Sequence, residues 1–124
     1  MQPSIDLRQY AADEFCYLTT TGRVSGKSHE IEIWFALDGA TLYMLAGGRD
    51  SSDWVKNIRR QPAVRVRIRD QVFEGQGRVV DEASDEAIRA RELVGPKYDE
   101  WQPGQPKTGW TWESLPVAVD LKTT

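Results

Sequence analysis

The first of two glycine-containing loops concentrates groups that bind anions. In the stretch TTTGRVSGKSH, Arg23 and Lys27 carry positive charge, Ser25 offers a hydroxyl, and Gly26 lets the backbone turn its N–H groups outward. His29, the only histidine of the chain, ends the stretch. This set of donors suits a phosphate or a carboxylate, whereas the alternative interpretation is a flexible polar hairpin loop. A Walker A loop is excluded, because the spacing between the glycines is one residue short and a strand follows.

The second loop, AGGRDSSD, runs from a predicted strand into a predicted helix. Ala46, Gly47, Gly48 and Arg49 open it, and Ser52 is suited to cap the helix. The free amides and the dipole of a helix N-terminus favour an anion, to which Arg49 would add a countercharge. A plain strand-to-helix connection with capping serines is the alternative. Because the two loops flank one predicted hairpin, we expect them to face the same cleft.

Side chains for covalent, metal or acid–base chemistry are scarce. With one cysteine and one histidine, the chain cannot form an internal disulfide, and no metal site is predicted. Cys16 is interpreted as a packed residue, and no catalytic side chain is predicted. Sixteen basic and nineteen acidic residues give a net charge of −3, which argues against a nucleic-acid partner. The alternating Arg65, Arg67 and Arg69 are then one solvated face of a strand.

Hydrophobic alternation predicts the elements that position these loops. Strands are predicted over residues 15–21, 29–36, 41–46, 63–69, 72–80 and 116–121, and helices over residues 52–61 and 84–94, with a short helix over 4–14 capped by Ser4. Asp38-Gly39 supplies a hairpin turn, and Gly95-Pro96 is expected to stop the second helix. Residues 97–113 are expected to form a long loop or lid. The fold class is therefore mainly β, a six-stranded antiparallel barrel with two to three short helices in one domain, residues 1–124.

Charge is distributed unevenly along the chain. Residues 49–78 carry eight basic and four acidic side chains, a local charge of +4, whereas residues 81–100 carry three basic and seven acidic ones, a local charge of −4. The basic stretch is expected to meet an anionic ligand.

Several motifs together resemble the deazaflavin (F420)-dependent nitroreductase family. They are LTTTGRxSGK from Leu18, EIWF from Glu32, Asp38-Gly39, Gly47-Gly48, and DWVxNI from Asp53 before Pro62. That family belongs to the split β-barrel superfamily, which also contains FMN-binding pyridoxamine-phosphate-oxidase-like proteins. Many relatives carry Ser-Lys-Gly-Gly where this chain has Leu-Ala-Gly-Gly. The resemblance covers residues 15–80 well and the C-terminal part more loosely.

The resemblance implies an oxidoreductase that moves a hydride between F420 and a small acceptor, namely a quinone, a nitro compound or an enone. An FMN-binding oxidoreductase and a non-enzymatic cofactor-binding protein are the alternatives. The implied cofactor contacts are Arg23, Ser25, Gly26, Lys27, His29, Ala46, Gly47, Gly48, Arg49, Ser52, Trp54 and Asn57. Tyr98 and Trp101 are the implied substrate-pocket residues.

The remaining expectations concern partners and location. No run of about 18 apolar residues and no signal-peptide layout is present in the sequence, so a cytoplasmic protein without a membrane span is expected. The family resemblance implies a homodimer.

Overall fold

One antiparallel sheet dominates the structure, a computed structural model that describes residues 7–122. The strands of this range are β1 (Cys16–Thr21), β2 (Ser28–Ile33), β3 (Ala36–Asp38), β4 (Thr41–Ala46), β5 (Ala63–Ile68), β6 (Gln71–Val79) and β7 (Leu115–Leu121). The α-helices are α1 (Asp53–Arg60), α2 (Asp85–Tyr98) and α3 (Trp110–Glu113), and 3-10 turns cover Leu7–Tyr10 and Arg49–Ser51. The sheet order is β2-β1-β5-β6-β7-β4-β3. The predicted mainly β class, an antiparallel split barrel with few helices, is confirmed.

The sheet has seven strands in the described range because the segment predicted as one strand over residues 29–36 is broken at Trp34 and Phe35. Side chains of α2 replace the ladder at the break. The N–H of Phe35 donates to the hydroxyl of Tyr98 at 3.2 Å, and the ammonium of Lys97 donates to the carbonyl of Phe35 at 2.8 Å. These bonds satisfy the backbone groups of a fully buried residue, so the chain can leave one strand partner for another.

The break also closes the barrel. β2 pairs with β1 at one edge of the sheet and β3 pairs with β4 at the other, yet only Trp34 and Phe35 separate them. Three extended steps of the chain span at most about 11 Å. The sheet must therefore curl until its two edges approach each other.

Alternating strand residues build the core inside this curl. On β5, Val64, Val66 and Ile68 are buried, and the intervening arginines face outward. Helix α1 contributes Val55 and Ile58 to the same core. A Cβ at Gly77 would lie 3.0 Å from Cγ2 of Ile58, so this glycine allows α1 to approach β6 closely.

Helix α2 continues through the predicted stop, which is a correction to the sequence interpretation. Gly95 and Pro96 lie inside the helix, which ends at Tyr98. A Cβ at Gly95 would lie 2.8 Å from Cγ2 of Thr111, so this glycine is a packing site rather than a helix end. The proline removes one helical hydrogen bond, and the contacts of Lys97 and Tyr98 with Phe35 hold the last turn.

Two other predicted segments differ in detail. The predicted helix over residues 4–14 is a 3-10 turn at Leu7–Tyr10, and the proposed cap Ser4 lies outside the described residues. The predicted loop over residues 97–113 ends in the short helix α3.

Ion pairs join the basic and the acidic stretches of the chain. Arg49 contacts Glu82 at 2.5 Å, and Arg78 contacts Glu86 at 2.6 Å. Two arginines of the basic stretch therefore have carboxylate partners within the same chain.

Replacing Arg78 with methionine is expected to lower the free energy of unfolding by about 1 kcal/mol at pH 7, a value discounted for solvent exposure. The guanidinium of Arg78 donates to both oxygens of Glu86, at 2.6 and 2.8 Å, and to Asp120 at 2.8 Å. These hydrogen bonds hold the pKa values of both carboxyls below their ordinary range.

The sign of the pH dependence follows from that direction. A carboxyl whose pKa is lowered by folding stabilises the fold above its unfolded pKa, about 4, and this stabilisation disappears as the pH falls through the folded pKa. The difference in free energy of unfolding between the wild type and Arg78→Met should therefore decrease as the pH is lowered below 5. Urea unfolding experiments measure this difference. Arg65→Met is the control, because its contact with Glu74 is 4.0 Å long and exposed. A deficit that stays constant down to pH 2 would contradict the assignment.

Candidate functional site

The first glycine loop forms a tight turn between β1 and β2. The N–H of Gly22 donates to the carbonyl of Lys27 at 2.8 Å, and the N–H of Gly26 donates to that of Gly22 at 2.9 Å. Gly26 has a left-handed φ of 73°, which suits glycine. A Cβ at Gly22 would lie 2.7 Å from both Nε2 of His29 and Oγ of Ser25. The absence of a side chain at Gly22 therefore leaves room for both polar groups beside the backbone of the loop.

Asn57 fastens this loop to helix α1. Its side chain is buried, and its Nδ2 donates to Oγ1 of Thr20 at 3.2 Å. Its Oδ1 accepts from the N–H of Arg23 at 3.2 Å and from Nη1 of Arg23 at 2.9 Å. One amide therefore fixes the end of β1, the backbone of the loop and the guanidinium of Arg23.

The remaining contact of Arg23 is with an acidic residue at the start of α1. Its Nη2 lies 3.2 Å from Oδ1 of Asp53, whose side chain is 85% exposed. An exposed pair of this kind contributes little to stability. An incoming anion can therefore replace Asp53 at the guanidinium at small cost.

A cavity of about 820 Å³ opens between the first loop, β2 and the start of α1. This volume lies within the range of about 300–1,000 Å³ that is typical of small-molecule sites. Half of the predicted cofactor residues line it, namely Arg23, Ser25, His29, Ser52, Trp54 and Asn57. Glu30 and Asp53 also line the cavity. The lining therefore combines the guanidinium of Arg23 with two carboxylates.

The other predicted cofactor residues lie outside the lining of this cavity. Gly26 and Lys27 belong to the first loop, and Ala46, Gly47, Gly48 and Arg49 to the second. Arg49 is engaged elsewhere, because it donates to Oε2 of Glu82 at 2.5 Å and to the carbonyl of Glu113 at 2.6 Å. Of the two loops expected to face one cleft, the first reaches this cavity with Arg23 and Ser25, and the second reaches it only with its end, Ser52 and Asp53.

A second, smaller cavity of about 190 Å³ has an aromatic wall. It is lined by Glu32, Ile33, Trp34, Leu45 and Trp110. The ring of Trp34 meets that of Trp110 edge-on, with centroids 5.5 Å apart. Consecutive residues of β2 belong to the two linings, Ile31 to that of the larger cavity and Glu32 to that of the smaller one.

Neither Trp34 nor Trp110 is among the site residues that the sequence implies. Trp34 is 46% exposed. The signal that would have found it is a tryptophan on the polar side of the alternating pattern of residues 29–36.

Of the two predicted substrate-pocket residues, Tyr98 packs against the aromatic wall, whereas Trp101 packs against Trp112. The ring of Tyr98 stacks on Trp34 with centroids 4.7 Å apart and planes 5° apart, and its hydroxyl donates to the carbonyl of Glu14 at 2.6 Å. Burial raises the pKa of Tyr98 to about 12. Trp101 is buried and donates through Nε1 to the carbonyl of Pro106 at 3.0 Å. Neither residue lines the two cavities above.

The cysteine takes no part in this site. Cys16 is fully buried in β1, and burial raises the pKa of its thiol to about 12. A thiol rather than a nucleophilic thiolate is therefore present at neutral pH. Within residues 7–122 no group of three or more His, Cys, Asp or Glu side chains is arranged to hold a metal ion.

Comparisons with known proteins agree with this geometry. The model of the F420H(2)-dependent quinone reductase family matches residues 7–122. A solved F420-H2-dependent reductase, FDR-A, is 21% identical, with 89% of this chain and 95% of that chain covered and a TM-score of 0.66.

Two further solved structures share the fold. A conserved hypothetical protein from Mycobacterium tuberculosis is 18% identical, with 98% and 82% of the two chains covered and a TM-score of 0.73. A 5-nitroimidazole antibiotic resistance protein from Bacteroides thetaiotaomicron is 12% identical, with 98% and 83% covered and a TM-score of 0.71. At these identities the likeness concerns the fold alone. In the part of the chain described, no helix is long and apolar enough to span a bilayer.

Proposed function

The chain belongs to the F420H(2)-dependent quinone reductase family and is an F420-dependent oxidoreductase, and from that premise we propose that its acceptor is a quinone, which is reduced by two electrons between the two cavities that β2 lines. In this reaction the quinone would gain a hydride and a proton, both supplied by the reduced deazaflavin, and would become a hydroquinone. The hydride is the chemistry that the bound cofactor supplies. The chain's own residues bind, orient and shield the two reactants.

The larger cavity is the proposed cofactor site. Arg23 and the hydroxyls of Ser25 and Ser52 would bind the anionic end of F420, together with the first amides of α1. A Cβ at Gly48 would lie 2.6 Å from Oγ of Ser52. The absence of a side chain at Gly48 therefore leaves room for this hydroxyl. His29 faces the same space. One guanidinium, the hydroxyls and the amides therefore supply donors for an anionic group, and Glu30 and Asp53 line the same cavity.

The smaller cavity is the proposed acceptor site. Trp34 and Trp110 offer flat apolar surfaces to a planar ring, with Ile33 and Leu45 beside them. The observation that carries the proposal is that neighbouring residues of β2 line both cavities, Ile31 the larger and Glu32 the smaller, and this supports placing cofactor and acceptor along one strand.

The experiment that tests the proposal has a binding arm and a turnover arm. The purified protein is titrated with F420 and, in parallel, with FMN, and tryptophan fluorescence is followed. Reduced F420 is then supplied with a quinone, a nitro compound or an enone. We expect F420 binding at micromolar concentration and faster oxidation with the quinone than with the other acceptors. FMN binding that is tighter than F420 binding would overturn the cofactor assignment.

Replacing Trp34 with leucine is expected to raise the KM for the quinone about tenfold, because one aromatic face of the proposed acceptor site is lost. The Kd for F420 should change less than twofold, since Trp34 does not line the larger cavity. Phe15→Leu is the control, an exposed aromatic residue at a different place. Steady-state kinetics give the KM, and equal effects of the two substitutions would speak against the acceptor site.

A homodimer in the cytoplasm is part of the proposal. A 22% identical structure with a TM-score of 0.64 is described as a domain-swapped dimer, and this supports it. Light scattering of the purified protein tests the dimer.

A further inference from the structure

Helix α3 carries one wall of the aromatic cavity but is too short to be stable on its own. It has four residues, Trp110–Glu113, and isolated helices of this length are unstable in water. Nε1 of Trp110 would lie 3.2 Å from a Cβ at Gly47, so the indole rests against the second glycine loop. Whatever fixes α3 therefore also fixes the width of the aromatic cavity.

Two arginines bind the carbonyls at the end of α3. Nη2 of Arg91 donates to the carbonyl of Ser114 at 2.9 Å, and Nη1 of Arg49 donates to that of Glu113 at 2.6 Å. Both guanidiniums meet at one carboxylate, because Glu82 accepts from Arg49 at 2.5 Å and from Arg91 at 3.1 Å. Cations at the end of a helix also interact favourably with its dipole.

Two features distinguish this group from an ordinary surface ion pair. Arg91 is buried, with 6% of its surface exposed, and its Nε finds no acceptor within residues 7–122. Arg49 has a left-handed φ of 53°, which is unfavourable for a residue with a Cβ. The contacts of both arginines must offset these costs.

We infer that Arg49, Glu82 and Arg91 form a clasp that positions Trp110 and thereby sets the affinity for the acceptor. These are positioning residues, because they act through α3 and do not line the aromatic cavity. The inference rests on the proposed acceptor site. It gives Arg49 a different task from the cofactor contact that the sequence implies.

The test uses variants that spare the backbone. Arg49→Asn removes the guanidinium and keeps a residue that tolerates left-handed φ. Because the side chain of Arg49 is partly exposed, we expect this variant to fold. The second variant is Arg91→Lys, which retains the positive charge. Arg89→Met is the matched control, since Arg89 lies on the same helix and pairs with Asp38 outside the clasp.

Three measurements are made on each variant. They are the KM and kcat for a quinone, the Kd for F420, and acrylamide quenching of tryptophan fluorescence in the ligand-free protein. Each quenching experiment is repeated with Trp110→Phe, so that the contribution of Trp110 is obtained by difference.

We expect Arg49→Asn and Arg91→Lys to raise the KM for the quinone about tenfold, to expose Trp110 to acrylamide, and to leave the Kd for F420 within twofold. Arg89→Met should change none of these. A raised Kd for F420 with unchanged quenching would overturn the clasp in favour of direct cofactor binding by Arg49. Quenching does not depend on turnover, so a wild-type protein without quinone reduction would refute the proposed function and leave the clasp testable.

Discussion

Replacing Asn57 with alanine is expected to lower the free energy of unfolding by about 3 kcal/mol, one of the largest effects of any single substitution at the site. Its buried side chain makes three hydrogen bonds, two with Arg23 and one with Thr20. Alanine leaves the buried hydroxyl of Thr20 and the N–H of Arg23 without these partners. Removal of one partner costs the full desolvation of the group that remains.

The same substitution should weaken F420 binding about tenfold at temperatures where the variant is still folded. Without Asn57 the guanidinium of Arg23 loses the contact that fixes its position, so part of the binding energy must be used to order it. Urea unfolding gives the stability, and a fluorescence titration gives the Kd.

Two variants serve as controls for Asn57. Lys56→Ala changes an exposed neighbour on α1 and should alter stability by less than about 0.5 kcal/mol. Asn57→Asp keeps the acceptor for Arg23 and lets the hydroxyl of Thr20 donate, so its effects should be smaller than those of alanine. A loss below about 1 kcal/mol for Asn57→Ala would show that water replaces the amide.

Local patterns were sufficient to predict most of the sheet. β4 was predicted with its observed bounds, because the turn at Asp38-Gly39 and the start of α1 limit it on both sides. The hairpin of β5 and β6 was predicted from strict alternation, which one buried face of a strand requires. These features depend on neighbours a few residues away in the chain.

Features that depend on distant residues could not be predicted. The strand break at Phe35 is stabilised by Lys97 and Tyr98, more than sixty residues later. Gly95 stays helical because Thr111 packs against it, and no local signal reports that contact. Local propensity was overridden at both places by tertiary contacts.

The candidate site shows the same division. The donors of the first loop follow from the local spacing of Arg23 and Ser25, and both line the larger cavity. The sequence assigned Arg49 to an anion by the same reasoning, but its carboxylate partner is Glu82, thirty-three residues away. Charge counts along the chain cannot show which partner an arginine meets in the fold, as Arg23 with Asp53 and Arg49 with Glu82 illustrate.

Arg23→Met is expected to weaken F420 binding about 100-fold at low ionic strength, because a charge-assisted hydrogen bond to an anion is lost in a partly buried position. The experiment that assigns this loss to the guanidinium is a double-mutant cycle with Asp53, since Nη2 of Arg23 already contacts that carboxylate.

Asp53→Asn should strengthen F420 binding about fivefold in the wild-type background, because the anion then meets no competitor at Arg23. The gain in affinity should fall below about twofold in the Arg23→Met background, since the guanidinium that Asp53 contacts is then absent. Glu30→Gln separates competition from simple repulsion: Glu30 also lines the cavity, but its ion pair is with Arg67 at 3.9 Å. If Glu30→Gln and Asp53→Asn strengthen binding equally in both backgrounds, net charge rather than the Arg23 contact governs the affinity. A gain confined to Asp53→Asn with Arg23 present would instead mean that the free protein holds its anion site with its own carboxylate until the cofactor displaces it.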